Sequence, residues 1–140
     1  MVHALEGIHR GLTEEGVLLD LHPQPVNMRV EVWQQGRVEP LGPLEQEDDI
    51  RDIRRARVRL NRVQRRGLFA TERRRTFEML GHFPSVEAWE EWQVRQGYTD
   101  TMPERILVPA RRLLAAGGGE LIFREKIRAS LLRRRPSRLS

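Results

Sequence analysis

Apolar residues change spacing along this chain, and the changes mark its elements. Leu5, Ile8 and Leu12 stand three and four apart, which places them on one face of a helix. Gly11 and Gly16 close that segment. Val17, Leu18, Leu19 and Leu21 follow as a near-continuous apolar run, which predicts a strand covered on both faces in a parallel or mixed sheet. Its polar end carries Asp20 and His22 before Pro23. Met28, Val30 and Val32 then alternate with Arg29, Glu31 and Trp33, Gln34-Gln35-Gly36 marks a turn, and Val38 to Leu41 returns. This is the pattern of a β-hairpin.

The longest helical pattern runs from Gln46 to Gly67. Ile53, Ala56, Leu60 and Val63 form its apolar stripe, and Arg51, Arg55, Arg59, Arg62 and Arg66 run up the opposite face. Acids gather at its start and arginines at its end, which complements the helix macrodipole. Asp48 with Arg51 and Asp52 with Arg55 are placed to pair one turn apart.

Residues Leu68 to Phe83 read as extended, with Phe69, Thr71, Phe77 and Met79 on one face. The run Arg73-Arg74-Arg75 in its middle favours an edge or an exposed ribbon over a core strand. Ser85 is placed to cap a helix that carries Trp89 and Trp92 and stops at Gly97. Pro103 suits the first turn of a further helix, with Ile106, Leu107, Ala110, Leu113 and Leu114 as its apolar face. Gly117-Gly118-Gly119 ends it. In the last strand, Glu120 to Leu132, alternation puts Leu121, Phe123, Ile127, Ala129 and Leu131 inward. Arg124, Lys126, Arg128 and Ser130 face outward, and Glu125 breaks the apolar side as a buried-acid candidate.

These elements predict a mixed α/β fold, a small sheet with parallel and antiparallel pairs and helices against it. The expected organisation is a single domain over residues 1–132 and a basic flexible tail over 133–140. No apolar run approaches the roughly 20 residues that span a bilayer, and the amphipathic start is not a signal peptide. The chain has no Cys, which excludes disulfides and thiolate chemistry and gives a cytoplasmic setting as the expectation. Of 25 basic residues, 24 are Arg. The guanidinium suits bidentate phosphate contacts, and a genomic bias toward Arg is the plainer account of such a count.

The segment Ala4 to Pro23, ALEGIHRGLTEEGVLLDLHP, resembles the helix and strand that follow the cofactor site in class I S-adenosylmethionine-dependent methyltransferases. There an Ala-Leu-x-Glu helix, a Leu-x-x-Gly turn and an apolar strand are the usual run. The stretch His82 to Trp89, with the helices and strand after it, is similar to the C-terminal region of some members. In that family the first unit sits past the middle of the fold, so the resemblance implies that the cofactor-binding half is absent from this chain. It also implies that S-adenosylmethionine is bound only if a longer chain or a partner supplies that half. The family's Gly-rich turn follows a strand, whereas Gly117-Gly118-Gly119 follows a predicted helix. No cofactor-binding residue carries over, and no catalytic one.

A half-fold of this kind leaves a strand edge open, so a homodimer or a covering partner chain is expected. The resulting reading is a non-catalytic, methyltransferase-like module for dimerisation or partner association. The alternatives are a fragment or subunit of a methyltransferase, and an Arg-rich nucleic-acid-binding module using Arg51, Arg55, Arg59, Arg62 and Arg66. Asp20 and His22 are weak candidates for acid–base chemistry or simple strand-end residues. Trp89, Trp92 and Tyr98 suit either a core, an interface or a pocket for a planar group. His3, His9, His22 and His82 lack metal-ligand spacing, so no metal is expected.

Overall fold

The computed structural model describes residues 2–136. Helix α1 (Val2–Gly11) leads into strand β1 (Val17–Pro23), the hairpin β2 (Arg29–Gln34) and β3 (Arg37–Pro43), and helix α2 (Glu47–Arg65). Strand β4 (Phe69–Phe83), helices α3 (Val86–Gln96) and α4 (Glu104–Ala115) and strand β5 (Gly119–Arg134) complete the order. The fold is mixed α/β, with five strands in the order β1-β5-β2-β3 and β4 paired to β5. The pairs β1–β5, β2–β3 and β2–β5 are antiparallel. Among the described residues no parallel pair occurs, which corrects the expectation of a partly parallel sheet. The apolar run in β1 reads as parallel only if both of its faces are buried, and they are not.

The chain divides into two compact units, and β4 and β5 each contribute a half to both. The first comprises residues 1–25, 48–77 and 127–140, and the second residues 26–47 and 78–126. Residues 137–140 of the expected basic tail lie outside the described residues, while Arg133 and Arg134 belong to β5.

In the second unit, Gln35 and Gly36 turn the hairpin with φ of 50° and 74°. A two-residue turn with positive φ at both positions matches the twist of its strands. Val30 and Val32 of β2 and Leu121 and Phe123 of β5 meet Val86 and Trp89 of α3 and Ile106 and Ala110 of α4 in one buried cluster. Ser85 caps α3 by accepting from the Ala88 N–H at 3.1 Å, and Gly97 ends it in the left-handed conformation. Pro103 is the N-cap of α4, one position before the first-turn place expected for it.

In the first unit, Leu60 and Val63 of α2 pack on Phe69 of β4 and Leu132 of β5, with Leu5, Leu12 and Leu18 at the margin. His9 is buried beside them, its ring edge-on to Phe69 at 5.5 Å and its Nε2 2.8 Å from the Arg135 carbonyl. The long strand β4 is exposed over most of its length, including Arg73, Arg74 and Arg75, as the arginine run required.

Candidate functional site

Strand β1 is inside out. Its register against β5 pairs Leu18 with Leu132, Asp20 with Ser130 and His22 with Arg128. Paired residues share a face, and the Leu18/Leu132 pair belongs to the first unit's core. Asp20, His22, Arg128 and Ser130 therefore continue that core as a polar row. The other face of β1 carries Val17, Leu19 and Leu21, which are 44%, 60% and 54% exposed. This overturns the expectation of a strand covered on both faces. It also reverses the outward direction expected for Arg128 and Ser130, which are 7% and 1% exposed.

The register is held by its turn. A Cβ on Gly16 would stand 2.8 Å from both Leu12 Cβ and the Thr13 carbonyl oxygen. Only glycine fits there, and a one-residue slip would exchange the two faces of the strand. The Gly16 carbonyl also accepts from the Arg134 N–H at 3.0 Å, which ties the start of β1 to the end of β5.

The sequence-predicted pair Asp20 and His22 is brought together, Nε2 to Oδ1 at 2.9 Å. Their side chains are 12% and 25% exposed, so the row opens toward solvent from the leucine end to the histidine end. Burial pushes the Asp20 carboxyl above its ordinary 3.8, against the opposing pull of His22, Arg128 and Arg74. Burial, and then the neighbouring Arg57 and Arg74, push the Arg128 guanidinium down, while Asp20 draws it up. Three polar atoms of the row have no hydrogen-bond partner: Asp20 Oδ2, Arg128 Nε and Ser130 Oγ. Buried polar atoms are normally satisfied, so three in one row of paired strands is unusual. Arg57, Arg74, Arg128 and Ser130 escaped the candidate set drawn from sequence. The signal that could have found Ser130 and Arg128 was their place two and four residues before Leu132 on the same face.

The arginine stripe of α2 is exposed as expected. Arg51 pairs with Asp48, Arg55 with Asp52 at 3.5 Å and Arg66 with Glu6 at 2.9 Å. Among the described residues Arg59 and Arg62 form no ion pair. The first unit holds 17 basic and 8 acidic residues, while the second holds 8 basic and 12 acidic. The positive charge is thus confined to one unit, which the whole-chain value of +5 conceals.

The aromatic candidates separate. Trp89 is buried and stacked on Phe123 at 5.1 Å, and so belongs to the core. Trp92 leans on Phe83 and on Tyr98 at 5.6 and 5.5 Å, and Tyr98 is half exposed. The buried acid of the second unit is Glu31, not the half-buried Glu125. Glu31 accepts from Trp33 Nε1 and from Arg124 Nη2, both at 2.7 Å, and Arg124 also donates to Glu78. Hydrogen bonds to Glu31 and Glu78 hold the Arg124 guanidinium above its ordinary range. A groove of about 520 Å³ lies at the hairpin tip, lined by Trp33, Arg37, Val38 and Glu120 among others.

Gly117 and Gly118 take positive φ directly after α4 and lead into β5. They act as a helix stop. Among the described residues no three metal-ligating side chains converge, and no helix is long and apolar enough to cross a membrane. No family model, curated protein or solved structure matches the chain.

Proposed function

We propose that the chain is a non-catalytic association module that pairs with a second copy of itself through β1. The observation that carries this reading is the row Val17, Leu19 and Leu21, exposed on a strand that pairs, among the described residues, with β5 alone. A free edge with apolar side chains is a template for pairing with another chain. Two copies of one edge pair antiparallel about a two-fold axis, so a single strand supplies both halves of the contact. The exposed face of β1 carries no charged residue, since its one acid, Asp20, lies on the other face. Like-charge repulsion therefore does not oppose the contact.

The likeness to the C-terminal half of a class I methyltransferase belongs to this proposal. It rests on Ala4 to Pro23 and His82 to Trp89, and it makes the alternative a subunit whose partner supplies the S-adenosylmethionine site. A cytoplasmic location is proposed on the absence of Cys.

Light scattering across a concentration series tests the main reading. The expected result is a dimer that Leu19→Lys converts to a monomer, with unchanged circular dichroism because Leu19 is mostly exposed. A wild-type monomer at every concentration defeats it. A partner chain that co-purifies and displaces the second copy would support the subunit alternative instead.

A second reading, nucleic-acid backbone binding, is favoured by the confinement of basic charge to the first unit. It requires affinity for generic duplex that falls steeply with salt. It also requires loss of that affinity when Arg55, Arg62 and Arg66 are changed to Glu.

A further inference from the structure

The open edge of β1 has a backbone pattern that specifies more than its side chains do. The Arg134 N–H donates to the Gly16 carbonyl at 3.0 Å, in step with the Val17–Arg133 pairing that follows. In an antiparallel ladder, residues that bond the partner strand alternate with residues whose N–H and C=O point the other way. Gly16, Leu18, Asp20 and His22 therefore bond toward β5, and the N–H and C=O groups of Val17, Leu19 and Leu21 point out along the opposite edge. The same three residues carry the exposed apolar side chains. The row is bounded at both ends. Pro23, next in the alternation, has no N–H to offer. On the other side the Glu15 carbonyl accepts from Arg133 Nη1 at 3.5 Å. The open ladder is thus symmetric about Leu19.

We infer that a second copy pairs with β1 in one register, with Leu19 opposite the partner's Leu19 on the two-fold axis. The inference rests on the association through β1 proposed above and fixes its geometry. In this register Val17 faces the partner's Leu21 and Leu21 the partner's Val17, and each pair exchanges two N–H···O bonds. No outward donor or acceptor of the row is left over, so a copy of the same edge is the occupant that the row fits. The apolar side chains meet their copies on one face. Other registers fail on named groups. Setting an outward residue opposite an inward one makes no ladder. A slip toward Pro23 sets Asp20 opposite the partner's Asp20, two acids face to face, and Val17 opposite the partner's Pro23, which lacks the donor. A slip the other way sets Leu21 opposite the partner's Glu15, whose carbonyl is already engaged.

The chain has no Cys, so single cysteine substitutions report the register. Bonded pairs lie about 5.5 Å apart between Cα atoms, inside the disulfide range, whereas Val17 and the partner's Val17 would stand about 13 Å apart along the strands. Leu19→Cys should therefore cross-link to itself under mild oxidation, while Val17→Cys and Leu21→Cys each stay uncross-linked. An equal mixture of Val17→Cys and Leu21→Cys should cross-link one protein to the other, which intact mass identifies. Val94→Cys, at an exposed position of the second unit, should not cross-link. Light scattering of the wild type and the reduced variants separates the two readings. A monomeric wild type defeats the association itself. A dimer in which Leu19→Cys fails to cross-link, or in which Val17→Cys, Leu21→Cys or Val94→Cys alone does so as readily, keeps the association and overturns this register. Where Leu19→Cys itself turns out monomeric, the mixed pair decides in the same way.

Discussion

Replacing Asp20 by Asn should stabilise the protein at neutral pH relative to acid, a result opposite to the usual loss of a paired carboxylate. Asp20 touches His22 at 2.9 Å and lies near Arg128 and Arg74, so inspection of contacts alone makes it a stabilising anion. Desolvation outweighs all three attractions, and the carboxyl titrates above its ordinary 3.8. The sign follows from linkage. A group whose pKa is higher in the folded chain favours folding while it is protonated, below its unfolded pKa. That contribution is lost as pH rises through the folded pKa. Above that point the native protein carries a charge that burial opposes, at about 1.4 kcal/mol for each pH unit of displacement. Asn approximates the protonated side chain at every pH. The stability difference between Asp20→Asn and wild type should therefore be flat near pH 3 and move in favour of the variant as pH rises above about 4. Urea unfolding midpoints of both proteins at pH 3, 5 and 7 measure it. A difference that moves toward the wild type as pH rises would mean that the arginines hold Asp20 ionised, and the account of the polar row would fail.

Other substitutions test the packing around the candidate sites. Arg124→Met leaves the buried Glu31, among the described residues, with only the Trp33 indole N–H as a donor and should cost about 2–3 kcal/mol by urea unfolding. That is less than the 3–5 of a wholly enclosed pair, because Arg124 is partly exposed. Trp33 fluorescence should shift in the native baseline of the same experiment. Ile106→Ala empties a fully buried position in the second core and should cost about 2–5 kcal/mol. Ser85→Ala removes the acceptor for the Ala88 N–H and should cost about 1 kcal/mol, with Ser85→Asp close to neutral.

Local signals on the chain were legible and long-range ones were not. The hairpin turn, the Ser85 cap, the Gly97 stop and the Asp48–Arg51 and Asp52–Arg55 pairs all depend on residues a few positions apart. Their physics is complete within a short window. The exposed character of β4 was also readable, because three consecutive arginines cannot sit in a core. The faces of β1 and of the C-terminal half of β5 were not readable. Leu121 and Phe123 set an inward direction for odd positions of β5 in the second unit, while in the first unit the inward residue is Leu132. Strict alternation keeps odd and even positions on opposite faces along the whole strand, so it ranks Arg128 and Ser130 as solvent-facing. Which face is buried is decided by what packs on it, and for Leu132 that includes Leu60 and Val63 from a helix more than sixty residues earlier. The Asp20–His22 contact was legible from spacing, and the arginines around it were not, because they come from three other elements.

The association proposal rests on an inside-out strand. A chain free to place β1 by hydrophobicity alone would turn Val17, Leu19 and Leu21 inward and Asp20 and His22 outward, a change of one residue in register. Burying those three side chains would be worth about 1.5–3 kcal/mol each, and the buried polar atoms would return to water. The observed register forgoes both gains, and Gly16 and the Leu18–Leu132 contact fix it. Local rules are broken without compensation mainly where a site requires it. The apolar side chains left outside need a surface to cover them. A second copy of β1 meets that requirement, so Leu19→Lys should abolish dimerisation while leaving the fold intact.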